Sequence, residues 1–207
     1  KIDMAFVCSG PYVTGHDAFG LELLGAPVVS GEPVYYAYLI VPADSTVTSL
    51  EGLRGKTFAF TDPQSNTGKT VPTYLLAKMG ETSDSFFGKT YFTYSHDNSI
   101  KAVASGEADG AMVDSLIYDY TARTDPTYTS KTKIILKSDP FGIPPVVVRP
   151  GLDTALKSKL RDALLTTHTT PEGQAILAKM GIEKFVEVDD SHYDSIREMS
   201  EWVSKNQ

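Results

Sequence analysis

The chain has 207 residues, of which 41% are hydrophobic and 22% charged, the composition of a globular protein with one large domain or two small ones. Its net charge of −7 argues against a nucleic-acid binder, which should show a basic face. It leaves room for a small anionic ligand, because a few local donors outweigh a diffuse negative field.

No apolar run reaches the length of a membrane span, and no basic n-region followed by an apolar h-region opens the chain. Cys8 is the single cysteine, so no internal disulfide forms. His16, His96, His168 and His192 lie far apart without metal-ligand spacing, and neither a metal nor a cofactor is expected.

In chain order, KIDMAFV reads as a strand that starts at the first residue, which marks an edge strand or the remnant of a longer chain. VYYAYLIVP (34–42) is a long β-rich run closed by proline. KTFAF (56–60) is a strand, and after a polar turn VPTYLLAKMG is a helix closed by Gly80. KTYFTY (89–94) is the next strand. NSIKAVASG is a short helix with Asn98 or Ser99 as its N-cap and Gly106 just past its end. DGAMV (109–113) is a small buried strand, SLIYDYTAR a helix and KTKIIL (131–136) a further strand. This alternation predicts a mostly parallel sheet with helices on both faces.

PPVVVRP (144–150) is a second extended run, after which the chain turns helical in LDTALKSKLRDALLTTH, PEGQAILAKMG and DSIREMSEWVSKN. Leu152, Leu156, Leu160 and Leu164 recur at i,i+4 and predict one buried face. Two extended runs around a complete α/β block suggest two crossings between lobes. The expected division is 1–42 with 145–207 as one lobe and 43–144 as the other, with ligands bound between domains in proteins of this kind.

The stretch DPQSNTGKTVP ends its polar part in Gly68-Lys69-Thr70, the last letters of a nucleotide-binding loop. The first glycine of that loop is here Pro63, which has neither the N–H nor the freedom of φ required, so a nucleoside-triphosphate site fails. The physics of the motif survives. Ser65, Asn66, Thr67 and Gly68 lie between a strand and a helix, where unpaired N–H groups and the positive dipole end favour an anion. The bland alternative is that Ser65 or Thr67 merely caps the helix.

DPQSNTGKTVP resembles the D-P-x-S-x-[ST]-G-x-x-x-P motif of phosphonate-, phosphite- and phosphate-binding proteins of ABC transporters. IDMAFVCSGPY, EPVYYAYLIVPADS, SLEGLRGKTFAF, AVASGEADGAMVDSLIYDY, SDPFGIPPVVVRP and PEGQAIL resemble further landmarks of that family, in order, from Ile2 to Tyr193. The resemblance implies an α/β, two-lobed type II periplasmic-binding-protein fold with mostly parallel sheets. It implies a solute receptor, not an enzyme, that traps a small phosphorus oxyanion by hinge closure and docks on a transporter permease. The location implied is periplasmic or extracytoplasmic, with a membrane-anchored lipoprotein as one form.

By the same resemblance Ser65, Asn66, Thr67 and Gly68 grip the phosphoryl oxygens, Asn66 standing where relatives often carry Thr. Tyr35 matches the phenol donor best, with Tyr36 and Tyr38 as alternatives, since a one-residue slip reverses the strand face. His96 matches a histidine facing the cleft. The carboxylates that hold an aminophosphonate's ammonium correspond to Leu116 and Pro144, so the ligand expected lacks an amine; Asp114 is a further candidate contact. The family also carries an N-terminal β-α-β-α unit without counterpart here. The first lobe is thus expected to be incomplete and to associate with another chain.

Two other functions compete. The same domains resemble extracytoplasmic sensors of membrane signalling proteins such as histidine kinases, though the polar ending SEWVSKNQ reads as a natural terminus. Cys8, Ser9 and His16 invite a nucleophile-and-base reading, but spacing alone establishes no such pair, and Cys8 after an apolar strand reads as a small buried residue.

Overall fold

The structure, a computed structural model, describes residues 2–206. The chain opens with β1 (Met4–Phe6), α1 (Ser9–Phe19) and β2 (Glu22–Val28). It continues through β3 (Val34–Tyr35), β4 (Ala37–Pro42), β5 (Thr57–Phe60), a π turn at Asn66–Thr70 and α2 (Val71–Lys78). Then come α3 (Ser83–Phe86), β6 (Lys89–Phe92), α4 (His96–Ala104), β7 (Gly110–Asp114), α5 (Ser115–Thr124) and β8 (Thr132–Lys137). After β9 (Phe141–Gly142) and β10 (Val146–Val148) follow α6 (Thr154–Thr166), α7 (Pro171–Met180), β11 (Lys184–Val186) and α8 (Asp194–Asn206). These form two compact units, Lys1–Val34 with Phe141–Arg197 and Tyr35–Pro140 with Glu198–Gln207.

The second unit holds a five-stranded sheet in the order β6-β5-β7-β4-β8. β5 pairs in parallel with β6 and β7, because the intervening helices supply the crossovers that parallel pairing needs. β4 runs antiparallel to both β7 and β8, so the strands share one direction except β4. Strand period then sorts the core. Ala59, Tyr38, Ile40, Ala111 and Val113 meet Ile100, Ala102 and Val103 of α4 on one face. Phe58 and Phe60 point the other way, where Phe58 stacks on Phe87 at 4.4 Å and Phe60 meets it edge-on. β7 is buried along its whole length, as a central strand covered on both faces must be.

In the first unit the sheet order is β1-β10-β2-β11, and every neighbouring pair is antiparallel. The expectation of mostly parallel sheets is corrected here: β1 and β2 share a direction through the α1 crossover, but β10 returns between them. β1 lies at the edge, as expected, and spans only Met4–Phe6; Lys1 is outside the described residues.

Three elements of this unit escaped the sequence reading. α1 contains Gly10, Pro11 and Gly15, yet Pro11 sits in the first turn, where a missing N–H costs nothing. β2 carries Gly25 and Pro27, which disguise it; a Cβ at Gly25 would lie 3.2 Å from both Leu164 and the Val186 carbonyl oxygen. β11 is only a short strand paired with β2. Cys8 is exposed at the N-cap of α1, not buried, because β1 ends two residues earlier.

The leucine stripe is corrected as well. Leu152 is buried but precedes α6, and Leu156 is 40% exposed. Leu160, Leu164 and Leu165 make the contacts to Leu24, Val146, Val148, Leu177 and Phe185, because an i,i+4 row drifts around the helix away from the sheet. The first turn of α8 is tied down by Arg197, which donates to Asp17, Asp190 and Asp194. Tyr12, fully buried against Tyr193, donates to Asp190 at 2.7 Å.

Candidate functional site

The candidate groups Tyr35, Ser65–Gly68, His96 and Asp114 all belong to the second unit. After β5 ends at Phe60 the chain reverses at Asp62, whose carbonyl accepts from Ser65 N–H and whose carboxylate accepts from Gln64 N–H. Ser65 is extended and caps the turn, its Oγ accepting from Gly68 N–H at 3.0 Å. The amides of Lys69 and Thr70 both donate to the Ser65 carbonyl.

The amides of Asn66 and Thr67 meet no acceptor among the described residues. Capping and anion binding are therefore compatible at Ser65. Its oxygen satisfies one amide while its hydroxyl proton remains a donor, and two further amides stay open at the positive end of the turn.

Pro72 has a part in this geometry. The N–H it lacks would have bonded the Gly68 carbonyl in an α-helix, and that carbonyl instead accepts from Thr61 N–H at 3.2 Å. The turn is thereby hooked to the end of β5. Gly68 is needed for the same contact. A Cβ there would lie 2.3 Å from Thr61 Oγ1 and 2.4 Å from Thr61 Cβ, so the close approach that the glycine permits is to Thr61. Lys69 turns away: its Nζ lies 3.9 Å from the centroid of the Phe60 ring, and burial lowers its pKa.

His96 begins α4, one residue after its cap. The cap is Ser95, whose Oγ accepts from Asn98 N–H at 3.1 Å, which corrects the expectation of Asn98 or Ser99. The shift moves His96 from a loop to the first residue of the helix. There Asp114 N–H donates to Nδ1 at 3.1 Å, with Thr61 Oγ1 at 3.3 Å from the same nitrogen. The ring proton therefore resides on Nε2. Burial pushes the imidazole pKa down to about 4, against a smaller opposing pull from Asp62. At neutral pH His96 is thus an uncharged donor.

Asp114 is buried, and burial pushes its carboxyl up to about 7 although Oδ1 caps α5 by accepting from Leu116 N–H at 2.7 Å. Of the three tyrosines, Tyr35 brings its hydroxyl to the turn and accepts from Asn66 Nδ2 at 3.0 Å. Tyr38 donates instead to Asp119, and the ring of Tyr36 lies under Lys137 Nζ at 3.5 Å.

A second layer was missed in the sequence. Thr61 Oγ1 lies 3.2 Å from Ser99 Oγ, which in turn lies 2.7 Å from Thr93 Oγ1. These hydroxyls couple the turn, α4 and the end of β6. A threonine directly after a strand that feeds a polar turn was the available signal.

In the first unit Ser9 Oγ donates to the Gly142 carbonyl, while His16 Nδ1 meets the Leu21 carbonyl and Nε2 faces Asp190 at 3.7 Å. Their side chains are thus engaged elsewhere rather than with one another. Among the described residues no group of three or more His, Cys, Asp or Glu side chains is arranged to hold a metal ion.

Comparison with known proteins matches residues 1–193 to a family model described as the periplasmic substrate-binding protein of a phosphonate ABC transporter. A phosphonates-binding periplasmic protein of Escherichia coli K12 is 30% identical over 205 residues, covering 97% of this chain and 60% of the relative. The chain thus spans about three fifths of that relative's length. A crystal structure of a binding-protein component of an ABC phosphonate transporter from Pseudomonas aeruginosa superposes with a TM-score of 0.91 at 28% identity, over 100% of this chain and 70% of that one. A Prochlorococcus marinus protein solved with methylphosphonate shares the fold, with a TM-score of 0.85 at 18% identity over 99% of this chain and 79% of its own.

Proposed function

This chain belongs to the periplasmic substrate-binding family of phosphonate ABC transporters, and on that premise we propose that it captures a small phosphorus oxyanion and delivers it to a transporter permease. The observation that carries the reading is the pair of open amides at Asn66 and Thr67, on a turn capped by the Ser65 hydroxyl and linked through Thr61 to the neutral His96 ring. Such donors match the three oxygens of a phosphonate, phosphite or phosphate without any covalent step.

Selectivity then comes from hydrogen-bond geometry rather than bulk charge, for Lys69 is held on an aromatic ring. Leu116 and Pro144 offer no carboxylate to an ammonium, which favours ligands without an amine. Calorimetric titration with methylphosphonate, phosphite and phosphate tests the reading. Saturable binding of at least one is expected, and heat no different from dilution for all three would sink it.

For the first unit, we propose association with a second copy of the chain along β1, supported by that strand's place at the sheet edge and by the exposed Met4 and Phe6 on one of its faces, with exposed Ile2 just before it. Light scattering should give a mass above that of one chain, reduced by Phe6→Lys. A concentration-independent monomer would refute it.

A further inference from the structure

Asn66 is 2% exposed, and its carboxamide is used on one side only. Nδ2 donates to the Tyr35 hydroxyl, which fixes the side chain, while Oδ1 is buried with no hydrogen-bond partner. Of the buried side-chain atoms without a partner among the described residues, Asn66 Oδ1 is the one that lies on the turn. An unmatched carbonyl oxygen is an uncomfortable neighbour for a fully ionised guest, whose oxygens all accept and none of which donates. The buried Asp114 carboxyl belongs to the strand against which the turn packs, and Lys69, the lysine of the turn, is directed to the Phe60 ring.

We propose that Asn66 makes the site selective for an oxyanion that carries a proton: the guest's P–OH donates to Asn66 Oδ1 while its two bare oxygens take the amides and hydroxyls of the turn. This deepens the oxyanion reading and rests on it. The consequence is discrimination against sulfate and sulfonates, which have the same tetrahedral shape but no proton to give. Polar sites of this kind reject the analogue that lacks the matching group far better than apolar pockets reject a size difference.

The test compares methylphosphonate with methanesulfonate at a pH below the second ionisation of the phosphonate. Both ligands are then monoanions of nearly equal size, so the charge states of Asp114 and His96 enter both titrations alike. The parent protein should prefer methylphosphonate by about tenfold or more. Asn66→Leu should bring the two affinities to within about threefold, whereas Asn66→Asp, which keeps an acceptor, should retain or widen the preference.

Binding of both ligands by the parent without preference overturns the inference and leaves the oxyanion reading standing. So does an undiminished preference in Asn66→Leu, or loss of methylphosphonate binding in a folded Asn66→Asp that Asn66→Leu retains. Failure of the parent to bind either ligand overturns the oxyanion reading and this inference together.

Discussion

The Arg197 cluster of the first unit and the Asn66–Thr70 turn of the second are both dense in polar groups and treat them in opposite ways. Around Arg197 the groups are spent on one another. The guanidinium reaches Asp17, Asp190 and Asp194, and the buried Tyr12 hydroxyl goes to Asp190. At the turn, two amides and the side-chain Oδ1 of Asn66 are left over, although the surrounding hydroxyls are closely networked. Polar groups that hold a fold are normally matched within it. The groups left unmatched at the turn are the ones that the proposed oxyanion reading employs.

The largest effect expected from the turn's surroundings concerns pH. His96 is lowered from its ordinary value to about 4, so between pH 4 and 6.5 unfolding takes up a proton there, and stability rises with pH. Asp114 is raised to about 7, so between about 4 and 7 unfolding releases a proton there, and stability falls as pH rises. Each shift is on the order of 3–4 kcal/mol, and over their common window they oppose. The parent should contribute a nearly flat stability profile from these two groups. His96→Asn, which can still accept from Asp114 N–H, should unmask a decline of about 3–4 kcal/mol from pH 4 to 7. Denaturant titrations at several pH values decide it; parallel profiles for parent and variant would contradict the opposition.

Next in size is Gly68→Ala. Its Cβ would be driven into Thr61, and Thr61 is held by His96 and Ser99, so about 1–3 kcal/mol of stability should be lost, together with anion binding. A melt equal to the parent's would show that the hook to β5 is looser than the distances indicate.

The comparison itself is tested by a pair. Thr67→Val should weaken oxyanion binding by about 1–3 kcal/mol and leave the unfolding free energy within about 0.5 kcal/mol. Arg197→Met should do the reverse, costing about 1 kcal/mol of stability with affinity unchanged, since its partners are partly exposed. If both variants moved both quantities, the division between fold-holding and guest-holding groups would fail.

Much of the second unit was legible in the sequence because its signals are local. Thr57–Phe60, Lys89–Phe92 and Gly110–Asp114 are short apolar runs bounded by turn residues, and the helices between them carry ordinary periodicity. The polar run before α2 was likewise visible from residue types alone. The first unit was harder, since β2 hides a glycine and a proline whose places are justified only by α6 and β11, distant in sequence. At the site, the roles of Thr61 and of the Asp114 amide depend on contacts across 35 and 18 residues, which no local pattern encodes. The cap at Ser95 was within reach, but the better helix formers after it drew the boundary inward.

One small feature has a thermodynamic consequence. Because Pro72 releases the Gly68 carbonyl to Thr61, the loop is anchored to a central sheet before any guest arrives. For the oxyanion proposed above, little conformational freedom is then left to freeze out on binding, and affinity is not eroded by ordering the loop. A proline that resembles a defect in a helix start is thereby a device for preorganisation.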